Sequence, residues 1–338
     1  MTPEAPVVER KFHPHRLLAL LFLTLFSSCS GSDTQEQVEE TTRKVPAAKV
    51  TFWNAKQRAQ VDRVQEWCWQ SLTKRPPKVD EDIVFVGAPW FELLDRYMRT
   101  RDERMATNIF GNKRFKNGAA MLEHDIFKKA YPLFKKLGIT RIFTPSAKGP
   151  RCGDIQIIPV LFKPFVKACP AAEKDLLYSF MGSSNNNPTR KRIVQMKAPA
   201  DVLIKDRRVF FYNINKQQRN RYRAEYRDAL SRSRFALCPM GATPITFRLS
   251  EAIWAGAIPV VIAHQLMLPP GIDWKKCLIH LTPKEATNID KILRAIPQEK
   301  EEAMRIACIE LMHTLEEDPA YFVRAYFDSQ QNRAMQES

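Results

Sequence analysis

Arg248 and Glu251 are charged side chains that stand three residues apart in a segment with helical spacing. An arginine can place two hydrogen bonds on phosphate oxygens, and the free amides at a helix start add partial positive charge. A glutamate one turn later can accept both hydroxyl protons of a ribose. This chemistry suggests a nucleotide ligand. The ordinary alternative is a weak ion pair on a solvated helix face, and spacing alone does not decide between the two.

The elements around this pair form a strand, a turn, a helix and a second strand. Residues 235–238 are an apolar run of strand length, and turn-forming residues follow over 239–245. Helical spacing resumes over 246–255, and the composition of 258–262 is typical of a buried parallel strand. Ligands of open α/β sheets collect at the carboxyl ends of strands. We therefore expect the turn and the first turn of the helix to face a ligand crevice.

A longer pattern of residue types runs through the same region. It consists of Phe235, Leu237, Cys238, Pro239, Gly241, Arg248, Glu251, Ala252, Gly256, Ile258, Pro259, Val260, Leu268, Pro269, Asp273 and Trp274. Two earlier segments fit in order and spacing, namely 178–182 followed by Pro188 and Arg190, and 154–159. Over residues 150–285 the chain resembles the exostosin-like glycosyltransferases, family 47.

The resemblance implies an α/β fold of the GT-B type, in which two Rossmann-like, doubly wound parallel-sheet domains face each other across a cleft. It implies a transferase of the hexosyl or uronosyl type that moves a sugar from a UDP-linked nucleotide-sugar donor to a glycan hydroxyl. The anomeric centre is inverted in most members. No metal or other cofactor is expected, because basic side chains and helix ends stabilise the leaving diphosphate.

Motif position implies donor-binding roles for six residues, Gly182, Arg190, Gly241, Arg248, Glu251 and His264. Arg248 would contact the diphosphate, and Glu251 would contact the ribose or the sugar. Gly182 and Arg190 would flank the donor, and Gly241 would permit a close approach of the backbone. His264 stands where the family usually has an acidic or amide residue, which leaves the donor preference open.

An inverting transfer needs a base that takes the proton from the attacking hydroxyl, and carboxylates and histidines are the usual choice. The candidates are His124, Asp125 and Asp154. His124 and Asp125 fall within a predicted helix, where a surface or capping role is the alternative. Asp154 precedes an apolar strand and fits a turn equally well.

Two other interpretations stay open at this point. A catalytically inactive relative could keep the fold as a glycan-binding or partner-stabilising module. It is suggested by His264, by Pro270 and by the absence of a clear Gly-Arg-Asp-His segment in the first half of the chain. A fucosyltransferase-like enzyme is the second, because such folds carry a similar order of Glu, Ala-Gly and Pro-Val-Val.

Length and alternating patterns predict two domains behind an N-terminal segment. We expect a signal or anchor with a polar stalk over 1–47, an acceptor domain over 48–168, and a nucleotide-sugar-binding domain with terminal helices over 169–330. The predicted strands are 82–86, 141–143, 155–160, 177–181, 208–213 and 277–281. The predicted helices are 90–100, 120–137, 188–196, 217–232 and 283–326.

A formal net charge of +16 predicts an anionic partner. The donor diphosphate and an acidic polysaccharide acceptor both fit this prediction. Nucleic acid is not expected, because the aromatic residues do not interleave with the basic ones in any binding module.

The first 47 residues have the pattern of a secretory signal, with basic residues before an apolar run over 17–26. We expect a single-pass, Golgi-type membrane anchor with a lumenal or exported domain. A bacterial lipoprotein that carries its lipid on Cys29 is the alternative. Six further cysteines permit disulfides, but their spacing defines no framework.

Overall fold

The structure is a computed structural model that describes residues 48–51, 62–79, 81–170, 173–185, 187–208 and 214–337. The predicted signal or anchor over 1–47 lies outside the described residues. The same is true of the predicted strand 208–213 beyond Arg208. Within the described part of the chain, no helix has the length and apolar character needed to cross a membrane.

The first sheet has six strands in the order β1-β2-β3-β4-β6-β5. Neighbouring strands run parallel, except that β5 pairs antiparallel with β6 at the edge. The bounds are β1 (Lys49–Thr51), β2 (Val84–Val86), β3 (Gly118–Met121), β4 (Ile139–Thr144), β5 (Arg151–Cys152) and β6 (Ile155–Pro159). The helices of this region are α1 (Arg63–Lys74), α2 (Trp90–Thr100), α3 (Arg104–Phe110) and α4 (Tyr131–Leu137), with a 3₁₀ turn over Phe127–Ala130.

The second sheet has five strands, all parallel, in the order β8-β7-β9-β10-β11. The strands are β7 (Leu176–Gly182), β8 (Val202–Asp206), β9 (Ser233–Pro239), β10 (Ile258–Ile262) and β11 (Ile279–Leu281). The helices are α5 (Pro188–Val194), α6 (Lys216–Arg232), α7 (Phe247–Trp254), α8 (Ile289–Arg294), α9 (Gln298–Glu317) and α10 (Tyr321–Glu337). Short 3₁₀ turns occupy Trp274–Lys276 and Glu285–Asn288.

Apolar side chains cover both faces of each sheet, because successive residues of a strand point to opposite sides. In β4, Ile142 packs in the cluster formed with α2 and α4, whereas Phe143 packs in the cluster that includes α1 and α10. In β9, Ala236 and Leu237 divide in the same way between two clusters. The prediction of two parallel sheets flanked by helices is confirmed.

One hydrophobic cluster contains residues from both sheets, so the two layers share a core. The C-terminal helix α10 contributes to this sharing, since the Phe327 ring lies 6.2 Å from the Phe85 ring of β2. The Tyr326 hydroxyl of the same helix donates to the Gln156 side chain of β6. The domain limits 48–168 and 169–330 stay a prediction.

A buried polar cluster fastens the start of α10 to α1. The Asp318 carboxylate accepts hydrogen bonds from the Ser71 hydroxyl at 2.7 Å and from the Arg324 Nε at 2.8 Å. It also accepts one from Arg75 at 2.7 Å. Asp318 and Arg324 are both buried. This cluster joins chain segments that lie more than 240 positions apart.

The predicted elements match the structure best where the apolar pattern is long. The helix predicted over 90–100 has those limits, and the prediction for 217–232 differs from α6 by one residue. The helix predicted over 120–137 is wrong at its start, because Gly118–Met121 is a buried strand and Leu122 to Asp125 are irregular. Gly118 and two alanines give that strand no β-branched residue, which removed the usual sequence signal.

Several basic residues of the second half form ion pairs with acids. Glu225 on α6 forms ion pairs with Lys205, Arg207 and Arg221. Arg232 pairs with Asp175 and Asp228, and Arg234 pairs with the buried Glu301. Some of the arginines in this region therefore form ion pairs within the fold. An anionic partner for the others stays a prediction.

The six cysteines of the described residues are free thiols. Five of them are buried, and Cys169 is exposed. Burial in apolar surroundings makes a thiol behave as a small hydrophobic side chain.

Candidate functional site

The strand order of the second sheet creates a crevice between β7 and β9. The chain moves outward from β7 to β8 in one direction and then continues through β9, β10 and β11 in the other. The loops after β7 and β9 consequently diverge, and such a topological switch point is where open α/β sheets bind ligands. Arg190 follows β7 on α5, and Arg248 follows β9 on α7.

A cavity of about 260 Å³ lies at this point. It is lined by Met181, Arg190, Tyr226, Thr246, Phe247, Arg248 and Glu251. The structure thus brings together three of the predicted donor-site residues, Arg190, Arg248 and Glu251.

The Arg248 guanidinium crosses the cavity toward the end of β7. It donates a hydrogen bond to the Met181 carbonyl and lies over the Phe180 ring, with its carbon 4.8 Å from the ring centroid. The buried Arg248 Nε has no hydrogen-bond partner, and neither does the buried Thr246 hydroxyl. Because unsatisfied buried polar atoms are costly, an oxygen-rich ligand in the cavity would stabilise this arrangement.

Arg190 lies beside Arg248 in the interior, where only 8% of its surface is exposed. Its Nε donates to the Met240 carbonyl at 3.0 Å, and its Nη2 donates to the Pro239 carbonyl at 3.2 Å. Burial and, to a smaller extent, the neighbouring charge of Arg248 lower the pKa of Arg190 to about 9. The side chain therefore stays charged at neutral pH, so the crevice holds two neighbouring cations that favour an anion.

Gly182 and Gly241 leave the space that the two guanidinium groups occupy. A Cβ atom on Gly182 would stand 2.5 Å from Arg248 Nη2. A Cβ atom on Gly241 would stand 3.1 Å from Arg190 Nη2. The glycines thus allow arginine side chains to lie close against the backbone of the two loops.

We expect the substitution Gly182→Ala to weaken ligand binding in the cavity with little effect on folding. The new methyl group would push the flexible end of Arg248 away from Met181 and out of its place beside the ligand. We expect the dissociation constant for the ligand to rise about tenfold, which corresponds to the loss of one charge-assisted hydrogen bond between Arg248 and the ligand. The measurement is a calorimetric titration with UDP beside a thermal unfolding curve. An unchanged dissociation constant in Gly182→Ala would contradict this account of the glycine.

Glu251 is buried, with 5% of its surface exposed, and its carboxylate is held by two groups. The Tyr226 hydroxyl donates to Oε2 at 2.7 Å, and the Val166 amide donates to Oε1 at 3.2 Å. Burial raises the pKa of Glu251, while the Tyr226 hydrogen bond and the Arg248 charge act against that rise. The pair is therefore not an ion pair on a solvated helix face. Contact of Glu251 with ribose or sugar stays a prediction.

The sixth predicted donor-site residue, His264, lies apart from these side chains. It follows β10 at the carboxyl edge of the sheet, is exposed, and does not line the cavity. Its role in donor binding stays a prediction.

His124 and Asp125 lie in the irregular segment after β3, at the carboxyl edge of the first sheet. The His124 ring is buried against the Phe91 ring, with 4.9 Å between centroids, and its Nδ1 accepts the Ile126 amide at 3.3 Å. Burial lowers the pKa of His124, while the charge of Asp125 acts against that shift. Asp125 is partly exposed and lies 3.7 Å from Nδ1.

Asp154 lies in the turn between β5 and β6 and thus at the amino end of β6. It is exposed and accepts a hydrogen bond from the Tyr131 hydroxyl at 2.7 Å, which lowers the pKa of the carboxyl group. The structure does not bring Asp154 together with His124 and Asp125, because the amino and carboxyl ends of parallel strands form opposite edges of a sheet.

Sequence reasoning missed several side chains of this region. Tyr226, Thr246 and Phe247 line the cavity but are not among the predicted site residues. Asp62 and Arg63, at the start of α1, are not among the predicted site residues either. Polar residues interrupt the apolar pattern around Asp62 and Arg63, so no sequence pattern indicated that these two residues would lie beside the end of β3.

Comparison with known proteins decides the family. The exostosin GT47 domain profile matches residues 106–296, which is more than half of the chain. The chain belongs to the exostosin GT47 family. Arg190, Arg248 and Glu251 all fall inside the matched region, and the predicted resemblance is confirmed.

Individual relatives share shorter segments with this exostosin-family chain. The probable beta-1,4-xylosyltransferase IRX10 of Arabidopsis thaliana is 38% identical over 76 residues, which are 22% of this chain and 18% of the relative. The probable glucuronosyltransferase GUT1 of Oryza sativa subsp. japonica is 37% identical over 76 residues, with the same coverage. The chain thus aligns with less than a fifth of the length of either plant protein.

Among solved structures, the exostosin-family chain is similar to Anabaena Alr3699/HepE in complex with UDP and glucose. The TM-score is 0.37 at 8% sequence identity, over 87% of this chain and 100% of that one. The GtfA/B complex gives a TM-score of 0.33 at 12% identity, over 76% of this chain and 58% of that one.

Proposed function

We propose that this chain is a glycosyltransferase that moves a sugar from a nucleotide-sugar donor to a glycan hydroxyl. The observation that carries the proposal is the pair of neighbouring arginines, Arg190 and Arg248, at the switch point of a parallel sheet in an exostosin-family chain. Two cations beside a helix start suit the diphosphate of such a donor.

The proposed transfer inverts the anomeric centre. The acceptor hydroxyl oxygen forms a bond to the anomeric carbon on the face opposite the diphosphate. The bond from that carbon to the phosphate oxygen breaks, and the nucleoside diphosphate leaves with the electron pair. Arg248 and Arg190 would stabilise the negative charge that grows on the leaving group.

We propose UDP as the nucleotide and no metal in the site. Relatives are named for transfer of xylose and glucuronic acid, sugars that are activated as UDP derivatives. The two arginines would take the place of a metal at the diphosphate. Among the described residues, no group of three or more His, Cys, Asp and Glu side chains is placed to hold a metal ion.

We also propose that the N-terminal segment anchors the chain in a membrane, with the catalytic part on the lumenal or exported side. The support is the sequence pattern of basic residues followed by the apolar run 17–26. An anionic glycan acceptor is proposed from the net charge of +16.

The experiment is a thermal unfolding titration of the full-length chain with UDP, GDP and CMP, followed by incubation with UDP-xylose and UDP-glucuronic acid. We expect UDP to raise the melting temperature, by an amount that grows with its concentration relative to the dissociation constant. We expect the chain to release UDP from UDP-xylose or from UDP-glucuronic acid. A folded chain that responds to none of these compounds would favour an inactive, glycan-binding relative.

A further inference from the structure

A second group of charged side chains lies at the carboxyl edge of the first sheet, around Glu123. Glu123 follows β3 by two residues, and 11% of its side chain is exposed. Its Oε1 accepts the Val64 amide in the first turn of α1 at 2.8 Å. Its Oε2 accepts a hydrogen bond from Arg63 Nη2 at 3.1 Å. The carboxylate is thus fixed at a helix start by one amide and one guanidinium.

The same Arg63 guanidinium reaches the second sheet. Its carbon lies 3.6 Å from the centroid of the Phe165 ring and 4.8 Å from that of the Phe247 ring. Phe247 is the first residue of α7 and lines the cavity that contains Arg248 and Glu251. The Arg63 guanidinium therefore links Glu123 to the wall of the proposed donor site.

We propose that Glu123 is the general base of the transfer and that Arg63 is the residue that positions it. This inference rests on the proposed glycosyltransferase function. The base must lie on the acceptor side, facing the donor cavity from the other sheet. Glu123 follows β3 of the first sheet and is connected to the cavity by Arg63, which donates a hydrogen bond to Glu123 and lies over the Phe247 ring.

In the proposed step, the Glu123 carboxylate takes the proton of the acceptor hydroxyl as the oxygen bonds to the anomeric carbon. The carbon loses its bond to the donor phosphate, and the diphosphate leaves with that electron pair. The proton ends on the Glu123 carboxyl group. When water replaces the glycan, the same step yields free sugar and UDP.

The neighbouring acids and His124 are arranged differently. Both Asp62 oxygens accept backbone amides, from Phe91 at 2.9 Å and from Glu123 at 2.9 Å, so this side chain ties two loops together. The His124 Nδ1 accepts the Ile126 amide, and its ring stacks on Phe91. Glu123, in contrast, has the partly exposed side chain of Arg63 as one of its partners.

Burial raises the pKa of Glu123, and the charges of Arg63 and Lys163 act against that rise. A carboxylate with a raised pKa is a stronger base. The titratable and charged groups around it are Asp62, Arg63 and Cys68 from α1 and its start, Lys163 from the segment after β6, and His124 and Asp125 from its own loop.

The test compares the variant Glu123→Gln with the matched control Glu66→Gln in the full-length chain. Glu66 lies on α1, is exposed and pairs with Lys163 at 3.6 Å. We measure release of UDP from UDP-glucuronic acid and UDP-xylose across a pH range, together with the rise in melting temperature caused by UDP. Glutamine keeps the acceptor for the Val64 amide, so folding should be retained.

We expect Glu123→Gln to release UDP at least about 100-fold more slowly, the usual contribution of a general base. The fall in rate at acid pH that we expect of the unmodified chain should be absent from this variant. The response of the melting temperature to UDP should be unchanged, and Glu66→Gln should behave as the unmodified chain. In Glu123→Ala, added formate should restore part of the rate, because a free carboxylate can take the missing place.

Retention of the rate and of the acid limb in Glu123→Gln would overturn the proposal for the base, while UDP binding in the same variant would leave the transferase function standing. Loss of the rate without any rescue by formate in Glu123→Ala, together with a lower melting temperature in both variants, would show a structural role instead. A chain that neither binds UDP nor releases it would remove both proposals.

Discussion

Replacing Arg248 with alanine is expected to lower the rate of UDP release from the proposed donor by about 100- to 1000-fold. Loss of one preorganised donor to a developing negative charge has an effect of this size in other enzymes. Arg248 is the guanidinium that crosses the cavity, and its buried Nε has no hydrogen-bond partner. The same variant should lose most of the rise in melting temperature that UDP produces.

The matched control for Arg248→Ala is Arg192→Ala. Arg192 lies on α5, two residues after the buried Arg190, and is exposed. Removing it lowers the net charge by the same amount, so a general electrostatic effect would weaken UDP binding equally in both variants. Equal binding of UDP by Arg248→Ala and by the unmodified chain would place the nucleotide elsewhere.

The substitution Asp318→Ala is expected to lower the free energy of unfolding by about 3–5 kcal/mol. It removes the carboxylate that holds Ser71, Arg75 and Arg324, and it leaves Arg324 buried without its acid partner. Denaturant unfolding of the full-length chain measures the change. Since the cluster joins α1 to the start of α10, we expect the packing contacts between these two helices to weaken first.

Two further variants separate charge burial from packing. Glu317→Ala removes an exposed acid one position away and should change the free energy of unfolding by less than about 0.5 kcal/mol. The double variant Asp318→Ala with Arg324→Met removes the unpaired charge and should recover part of the lost stability. If Asp318→Ala is as stable as the unmodified chain, the cluster does not fasten the helices.

The sequence pattern placed Arg248 and Glu251 together at a sheet crevice because these residues are close in the chain, and donor binding there stays a prediction. Residues 235–262 contain β9, α7 and β10 in succession, and the chemistry of Arg248 follows from its place just after a strand. Parallel neighbouring strands then fix which edge carries the loop. Family resemblance added Arg190, which bonds Met240 across 50 positions, and Gly182, which leaves space for Arg248 of α7.

The structure corrected the picture of the first sheet. Residues 118–121 form a buried strand of small side chains, whereas the sequence pattern favoured a helix from 120. Small residues have weak preferences, so their element type is decided by the neighbouring strands β2 and β4, which provide the hydrogen bonds. His124 and Asp125, which the sequence pattern placed in that helix, lie instead in a loop at the carboxyl edge of the sheet.

By itself the sequence determined the family, the alternation of strands and helices in the second half, and the pair of charged residues at the start of α7. Only the tertiary structure decided that Glu251 is buried between Tyr226 and Val166 and that Arg63 joins Glu123 to Phe247. The reason is the range of the interactions. Strand and helix signals depend on neighbours in sequence, whereas these contacts join positions 25 to 184 residues apart, and their side chains meet only when both sheets share one core.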